Sequence, residues 1–169
     1  MTFAPVLKSL KLTLGSAQTD DLIPVLLDVI QGVVEFELRS AAFSSFSSLC
    51  TVLCAGKRLQ HLTLTDVNWK KGMSETEEDD PLRWRLSPRL ARLTVSIRKL
   101  GEFLEWIMRT AKMPPIRAVC LGGIASVEDE NAVAAFLKRL GPELKHLKLY
   151  TMAWVDGGKY GLSFVSTGH

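Results

Sequence analysis

One spacing of apolar residues recurs along this chain of 169 residues and constrains its fold. In the stretch RLQHLTLTDV, Leu59, Leu62, Leu64 and Val67 stand at offsets 0, 3, 5 and 8. A lone strand predicts a spacing of two and a lone helix a spacing of three or four, so neither accounts for this order. The same pattern starts at residues 7, 33, 59, 90, 116 and 144, except that offset 8 falls on Gly15 in the first repeat and on Arg98 in the fourth. The chain therefore carries an internal repeat with a period of 26 to 31 residues.

The offsets have a simple physical meaning. Residues at offsets 3 and 5 lie on one face of a short strand, and those at offsets 0 and 8 bend inward at its two ends. Between the strands, four segments show the apolar stripe of a helix. They are TDDLIPVLLDVIQG, SSFSSLCTVLCAG, GEFLEWIMRTA and SVEDENAVAAFLKRLG. Ser126 is a natural N-cap for the last helix, and Gly141 ends it. Strands that alternate with helices at this period predict a parallel sheet.

This motif and period are those of leucine-rich repeats. We therefore predict an α/β leucine-rich-repeat solenoid: a curved arc of about six strand–helix repeats with the parallel sheet on its concave face. The repeat domain spans residues 1–154, with an insertion near residues 68–86, where one period grows from 26 to 31 residues. Residues 155–169 are interpreted as a C-terminal tail or a truncated repeat.

Composition narrows the cellular setting. The net charge of +3 is too small to indicate nucleic acid or a membrane surface by itself. The most apolar run, LIPVLLDVIQGVV, is thirteen residues long and contains Asp28, which is short of a membrane span. Three cysteines are too few for a disulfide framework and indicate a reducing compartment. We expect a cytoplasmic or nuclear protein.

Four repeat starts carry a resemblance to a known family. RLQHLTLTDVNW, SPRLARLTVSI, PPIRAVCLGGI and GPELKHLKLY look like successive repeats of F-box-type leucine-rich-repeat proteins, especially the large fungal sets. The resemblance implies that the repeats hold a substrate, while an F-box segment recruits ubiquitin-ligase scaffold components. This sequence begins within the first repeat strand, so no F-box segment is expected. LIPVLLDVI echoes an F-box opening, but we interpret it as the first convex helix.

Motifs of catalysis, cofactor binding and metal binding are missing from the sequence. It contains no G-x-S-x-G, no H-E-x-x-H and no phosphate-binding G-x-x-x-x-G-K-S/T. His61 and His146 share one offset but belong to repeats too far apart to hold a metal together. Cys50 and Cys54 lie on the apolar helix face, where buried structural thiols are expected. We therefore expect no enzyme and no cofactor.

The insertion contains an acidic run, SETEEDDP, followed by a stretch rich in arginine. A charge run of this kind is usually a solvated loop, although a docking role is the alternative. Ser74 and Thr76 each precede an acidic residue by three positions and are candidate phosphorylation sites.

Offsets 4 and 6 should face outward on the concave side, which is the usual binding surface of a solenoid. The charged and aromatic residues there are Lys11, Glu37, Arg39, Lys148 and Tyr150. We expect a non-catalytic protein–protein interaction module whose protein partner is unidentified. The alternatives are the substrate-recognition part of an F-box-type ubiquitin-ligase receptor that lacks its F-box, and a gene-model fragment with no independent role.

Overall fold

The computed structural model describes residues 7–15, 19–73, 84–110, 112–155 and 159–167, with backbone alone from residue 151 onward. The chain is α/β, with a mostly parallel sheet and four α-helices among the described residues. In chain order the elements are β1 (Ser9–Thr13), α1 (Ile23–Ile30), β2 (Glu35–Arg39), β3 (Ala42–Ser45), α2 (Phe46–Ala55), β4 (His61–Thr65), β5 (Asn68–Lys71), β6 (Arg92–Ser96), α3 (Leu100–Arg109), β7 (Ala118–Ile124), α4 (Val127–Leu140), β8 (His146–Val155) and β9 (Lys159–Thr167).

The main sheet has the strand order β1-β2-β4-β6-β7-β8-β9. The first six of these strands run parallel, one for each predicted repeat start. Their register follows the repeat: every residue at offset 3 pairs with the next residue at offset 3, and the same holds for offset 5. The two rows are Leu10, Phe36, Leu62, Leu93, Val119 and Leu147, and Leu12, Leu38, Leu64, Val95, Leu121 and Leu149.

These two rows form one wall of the core. The rows are fully buried in the middle strands, where Leu62 and Leu64 are 0% exposed. They are only partly buried at the ends, at Leu10 on β1 and at Leu147 on β8. Among the described residues no α-helix follows β8, so nothing covers its inner face as fully as that of β4. Leu62 thus has the burial that its offset predicts, and Leu147 has less.

The helices present the faces that the sequence predicts. In α2 the buried residues include Phe46, Leu49, Cys50, Leu53 and Cys54, and Gly56 follows as the C-cap. In α3 the stripe Leu100, Phe103, Leu104 and Ile107 is buried, and Trp106 joins it. In α1, Pro24 lies in the first turn, where a missing backbone N–H costs little. The apolar face of each helix therefore packs against the inner rows of the sheet.

A residue with positive φ stands at the same offset in three repeats, directly after β2 and β4 and inside β7. Ser40 and Asp66 have φ of 50° and 53°, and Gly123 has φ of 81°. All three stand at offset 7, just before the inward residue at offset 8. Asp and Gly both tolerate this conformation, whereas Ser at this position gives no signal for it in the sequence. The bend at offset 7 is thus part of the repeat, while the residue that makes it varies.

The predicted insertion has packed ends. Its first residues form β5, which pairs in parallel with β3 in a second, two-stranded sheet, and Trp69 on β5 is 2% exposed. Trp84 and Leu86 also belong to the core cluster. The acidic run itself, with Ser74 and Thr76, lies outside the described residues.

The last strand reverses the chain direction. β9 pairs antiparallel with β8, from Leu147 opposite Thr167 to Val155 opposite Lys159. A further strand–helix repeat would add a parallel strand. Because β9 is antiparallel, β8 and β9 form a hairpin instead. In the described part of the chain, no helix is long and apolar enough to cross a membrane.

A buried carboxylate links two successive units on the helix side. Asp129, in the first turn of α4, is 6% exposed. Its Oδ1 accepts the Gly101 N–H of α3 at 2.8 Å, and its Oδ2 accepts the Ala125 N–H at 3.3 Å. The Ser126 hydroxyl accepts the Asp129 N–H at 3.1 Å, which confirms Ser126 as the N-cap. One side chain therefore accepts from a backbone donor of α3 and from one just before the N-cap of α4.

The core rows predict a graded loss of stability. Leu62→Ala should lower the free energy of unfolding by about 2–5 kcal/mol, because it leaves a cavity in a fully buried row. Leu147→Ala should cost less, since its side chain is only partly buried. Urea denaturation followed by circular dichroism measures both values. The control Thr63→Ala, on the opposite face of β4, should cost less than about 1 kcal/mol. Equal costs for Leu62 and Thr63 would contradict the assignment of faces.

The link between α3 and α4 gives a second prediction. Asp129→Ala should lower the free energy of unfolding by about 1–3 kcal/mol, because the buried Gly101 N–H loses its acceptor. Glu130→Ala, an exposed acidic neighbour in the same helical turn, should stay within about 0.5 kcal/mol of the parent. Parallel urea titrations compare the two variants. A cost at Glu130 as large as that at Asp129 would assign the effect to the helix dipole instead.

Candidate functional site

The side of the sheet opposite the core rows, here called the open face, is a regular grid. Offsets 2, 4 and 6 all point there, because side chains alternate along a strand. Its rows run from β1 to β8 in the register of the backbone. They are Ser9, Glu35, His61, Arg92, Ala118 and His146; Lys11, Glu37, Thr63, Thr94, Cys120 and Lys148; and Thr13, Arg39, Thr65, Ser96, Gly122 and Tyr150.

Three of the five predicted binding residues form one ion cluster. Lys11 Nζ lies 3.1 Å from Glu37 Oε2, and the Arg39 guanidinium contacts Glu37 Oε1. The hydrogen bond from Lys11, together with Arg39, holds the pKa of the Glu37 carboxyl below its usual range. Next to this cluster, His61 Nδ1 lies 3.1 Å from Glu35 Oε1. The β1–β2 end of the open face therefore pairs its positive and negative side chains with each other.

The other two predicted residues, Lys148 and Tyr150, lie at the opposite end on β8. From β2 to β8 there are four strand steps, or about 19 Å at the usual strand spacing. The prediction thus named residues of one face but not of one site.

Two adjoining hollows form a groove on strands β6, β7 and β8, here called the β6–β8 groove. The larger hollow has a volume of about 480 Å³ and is lined on its polar side by Arg92, Thr94, Cys120, His146, Lys148 and Tyr150. The smaller one, about 310 Å³, extends past Ser96, Gly122 and Gly123. Thr94, Cys120 and Tyr150 line both hollows, so the groove is continuous across the three strands.

Two glycines at the smaller hollow allow neighbouring strands to approach closely. A Cβ at Gly122 would lie 2.9 Å from Ser96 Oγ and 3.7 Å from Tyr150 Cβ. Next along the chain, a Cβ at Gly123 would lie 2.8 Å from the Ile97 carbonyl oxygen. The pairing of β7 with β8 shifts register between Gly122 and Ile124, so the strand continues through a bulge. The two glycines therefore serve a close approach between strands.

The groove carries positive charge without a paired carboxylate. Arg92, His146 and Lys148 are all exposed. Neither Arg92 nor Lys148 has a carboxylate within ion-pair distance among the described residues. Sequence reasoning missed Arg92, because it used offset 2 only to weigh His61 and His146 as metal ligands and took the binding residues from offsets 4 and 6. The alternation of a strand contains the missing signal, since offset 2 faces the same way.

The groove contains one partly exposed thiol. Partial burial raises the pKa of Cys120, while the hydrogen bond from Tyr150 acts in the opposite direction. The proximity of Cys120 in turn raises the pKa of the Tyr150 hydroxyl. By contrast, Cys50 and Cys54 are buried, and burial raises the pKa of the Cys54 thiol to about 11. All three cysteines are free thiols. In the described ranges, no three His, Cys, Asp or Glu side chains group as metal ligands.

The thiol chemistry gives a third prediction. Iodoacetamide should alkylate Cys120 in the folded protein before Cys50 and Cys54, because only Cys120 is partly exposed. Tyr150→Phe should raise the Cys120 pKa further and slow alkylation at a fixed mildly alkaline pH, since the thiolate loses a hydrogen bond. Mass spectrometry of tryptic peptides over a pH series measures the rates. A rate profile for Tyr150→Phe that shifts toward lower pH would contradict this contact.

Comparisons of the chain with protein-family models, with curated proteins and with solved structures found no match. The candidate site is therefore defined by its own geometry: a paired ion cluster at the β1–β2 end of the open face, and the β6–β8 groove with its unpaired cations at the other end.

Proposed function

We propose that this chain is a leucine-rich-repeat solenoid, a curved arc of about six strand–helix repeats, and that it acts as a non-catalytic protein-interaction module. What supports the architecture is the common register of six parallel strands at a period of 26 to 31 residues. An array built this way offers one continuous sheet face for binding, and its helices occupy the other side.

The observation that carries the proposed role is the β6–β8 groove. It is an open depression that crosses three strands, with Tyr150 and Arg92 at its walls and small residues at its floor. Tyrosine and arginine are the side chains that most often anchor a protein partner, because they combine apolar area with polar ends. A groove of this shape suits a protruding or extended segment of another protein.

The three free thiols support a reducing compartment, the cytosol or the nucleus, as the place of action. There, the components of ubiquitin-ligase scaffolds are candidate partners through the resemblance to F-box-type proteins. Their presence in a complex would distinguish a ligase receptor from a general binding module.

The test is to block the groove by size and to compare the captured proteins. Thr94→Trp places a bulky side chain between the two hollows, while Glu105→Trp places the same side chain on the exposed face of α3. Immobilised parent and Glu105→Trp protein should capture the same partners, and Thr94→Trp should lose them. Mass spectrometry identifies the partners, and melting temperatures verify that both variants fold. Undiminished capture by a folded Thr94→Trp protein would refute binding at this groove.

A further inference from the structure

The positive charge of the open face is concentrated at one end. The segments 84–99, 112–125 and 144–150, which contain β6, β7 and the first half of β8, include no Asp or Glu. They do include Arg92 and Lys148, which face the groove, and Arg117 and Lys145, which are exposed just before β7 and β8. The acidic residues of this half of the protein lie in and around the helices, such as Glu105 in α3 and Glu128 in α4.

At the other end of the face the cations already have carboxylate partners. Glu37 contacts both Lys11 and Arg39, and Glu35 contacts His61. A negatively charged partner would have to displace these pairs there. At the β6–β8 groove it would meet Arg92 and Lys148, neither of which has a carboxylate within ion-pair distance among the described residues. Electrostatic complementarity therefore directs an anionic ligand to the β6–β8 groove.

We propose that the β6–β8 groove binds an acidic, extended segment of a partner protein, with two carboxylate side chains held by Arg92 and Lys148. This inference rests on the proposed function and specifies its partner. Arginine suits one end of such a segment, because its planar guanidinium can bind a carboxylate through two parallel hydrogen bonds.

The spacing of the two cations sets the spacing of the acids. Arg92 lies on β6 and Lys148 on β8, two strand steps apart, so their backbones are separated by on the order of 10 Å. A segment in the polyproline II conformation covers about 9 Å in three residues and presents every third side chain on the same side. Carboxylates at positions i and i+3 of such a segment would thus reach both cations. Ala118 and Cys120 lie between them and leave room for the backbone of the segment.

The remaining walls fit the intervening side chains of such a segment. Tyr150 offers an aromatic surface at one side of the groove, and the hydroxyls of Thr94 and Ser96 face the same space. Because Gly122 has no side chain, Ser96 Oγ can lie against it beside Tyr150. A nucleic acid would instead need a longer basic track, and the net charge of +3 does not favour it.

The experiment uses a fluorescein-labelled peptide with Glu at every third position among Gly and Ser, and a counterpart in which Gln replaces every Glu. The variant Arg92→Ala with Lys148→Ala removes both groove cations. The matched variant Lys138→Ala with Arg139→Ala removes the same charge from the exposed end of α4. Fluorescence anisotropy measures affinity, and ¹⁵N-resolved NMR titration locates weak binding on the chain.

The Glu peptide should shift the amide signals of β6, β7 and β8, and its affinity should fall with added salt. The groove variant should bind at least about tenfold more weakly, while the α4 variant should stay within about twofold. The proposal is overturned if the Gln peptide binds as well, if the shifts map to the helices, if the groove variant binds normally, or if a single-stranded RNA oligonucleotide occupies the groove more tightly than the Glu peptide.

The two proposals can fail separately. If natural partners are lost by Thr94→Trp but retained by the variant without Arg92 and Lys148, the groove binds protein by shape and the acidic segment is excluded. If both variants retain the partners, neither proposal holds. If both lose them and the α4 variant does not, both are supported.

Discussion

The structure depends on one constraint: two apolar residues on every parallel strand must face the same helical layer. Leu62 and Leu64 on β4 are fully buried because their counterparts on β2 and β6 pair with them in register and face the same side. A slip of one residue would turn these leucines toward the open face. The repeat spacing of the sequence fixes the register of every strand in the same way. The side chains on the open face are then aligned across the strands as well, because the register of the buried rows also sets theirs.

Polar contacts on the helix side connect neighbouring units in addition to the core. Asp20 accepts hydrogen bonds from the backbone and the hydroxyl of Ser44, at 2.8 and 2.7 Å. Trp69 Nε1 donates to Glu102 at 3.0 Å, and Asp129 accepts from Gly101 at 2.8 Å. Each pair joins residues 24 to 33 positions apart, about one repeat. These hydrogen bonds fix the position of one unit relative to the next, whereas apolar contacts alone would allow the units to slide.

The groove shows how a site can arise from an ordinary sheet. Its floor consists of small residues, Ala118, Cys120 and Gly122, on one strand between two strands that carry larger side chains. Because neighbouring strands are separated by about 4.8 Å, a row of small side chains leaves a depression with the width of an extended peptide. The cations at its edges then have a ligand-sized gap between them. This arrangement is what makes the β6–β8 end different from the ion-paired β1–β2 end.

The sequence by itself determined the six parallel strands of the main sheet, their register, the buried rows and the helix faces, because each is set by spacing along the chain. It did not predict β3, β5 and β9. The Ser126 cap and the end of α4 at Gly141 were local enough to predict as well. The sequence also placed Lys11, Glu37, Arg39, Lys148 and Tyr150 on one face of the sheet. Only the tertiary structure decided that Lys11 contacts Glu37 beside Arg39, while Lys148 and Tyr150 share a groove with Arg92. The reason is physical: spacing along one strand fixes which way a side chain points and brings Arg39 to Glu37, but neighbours on the adjacent strands come from 26 or more residues away.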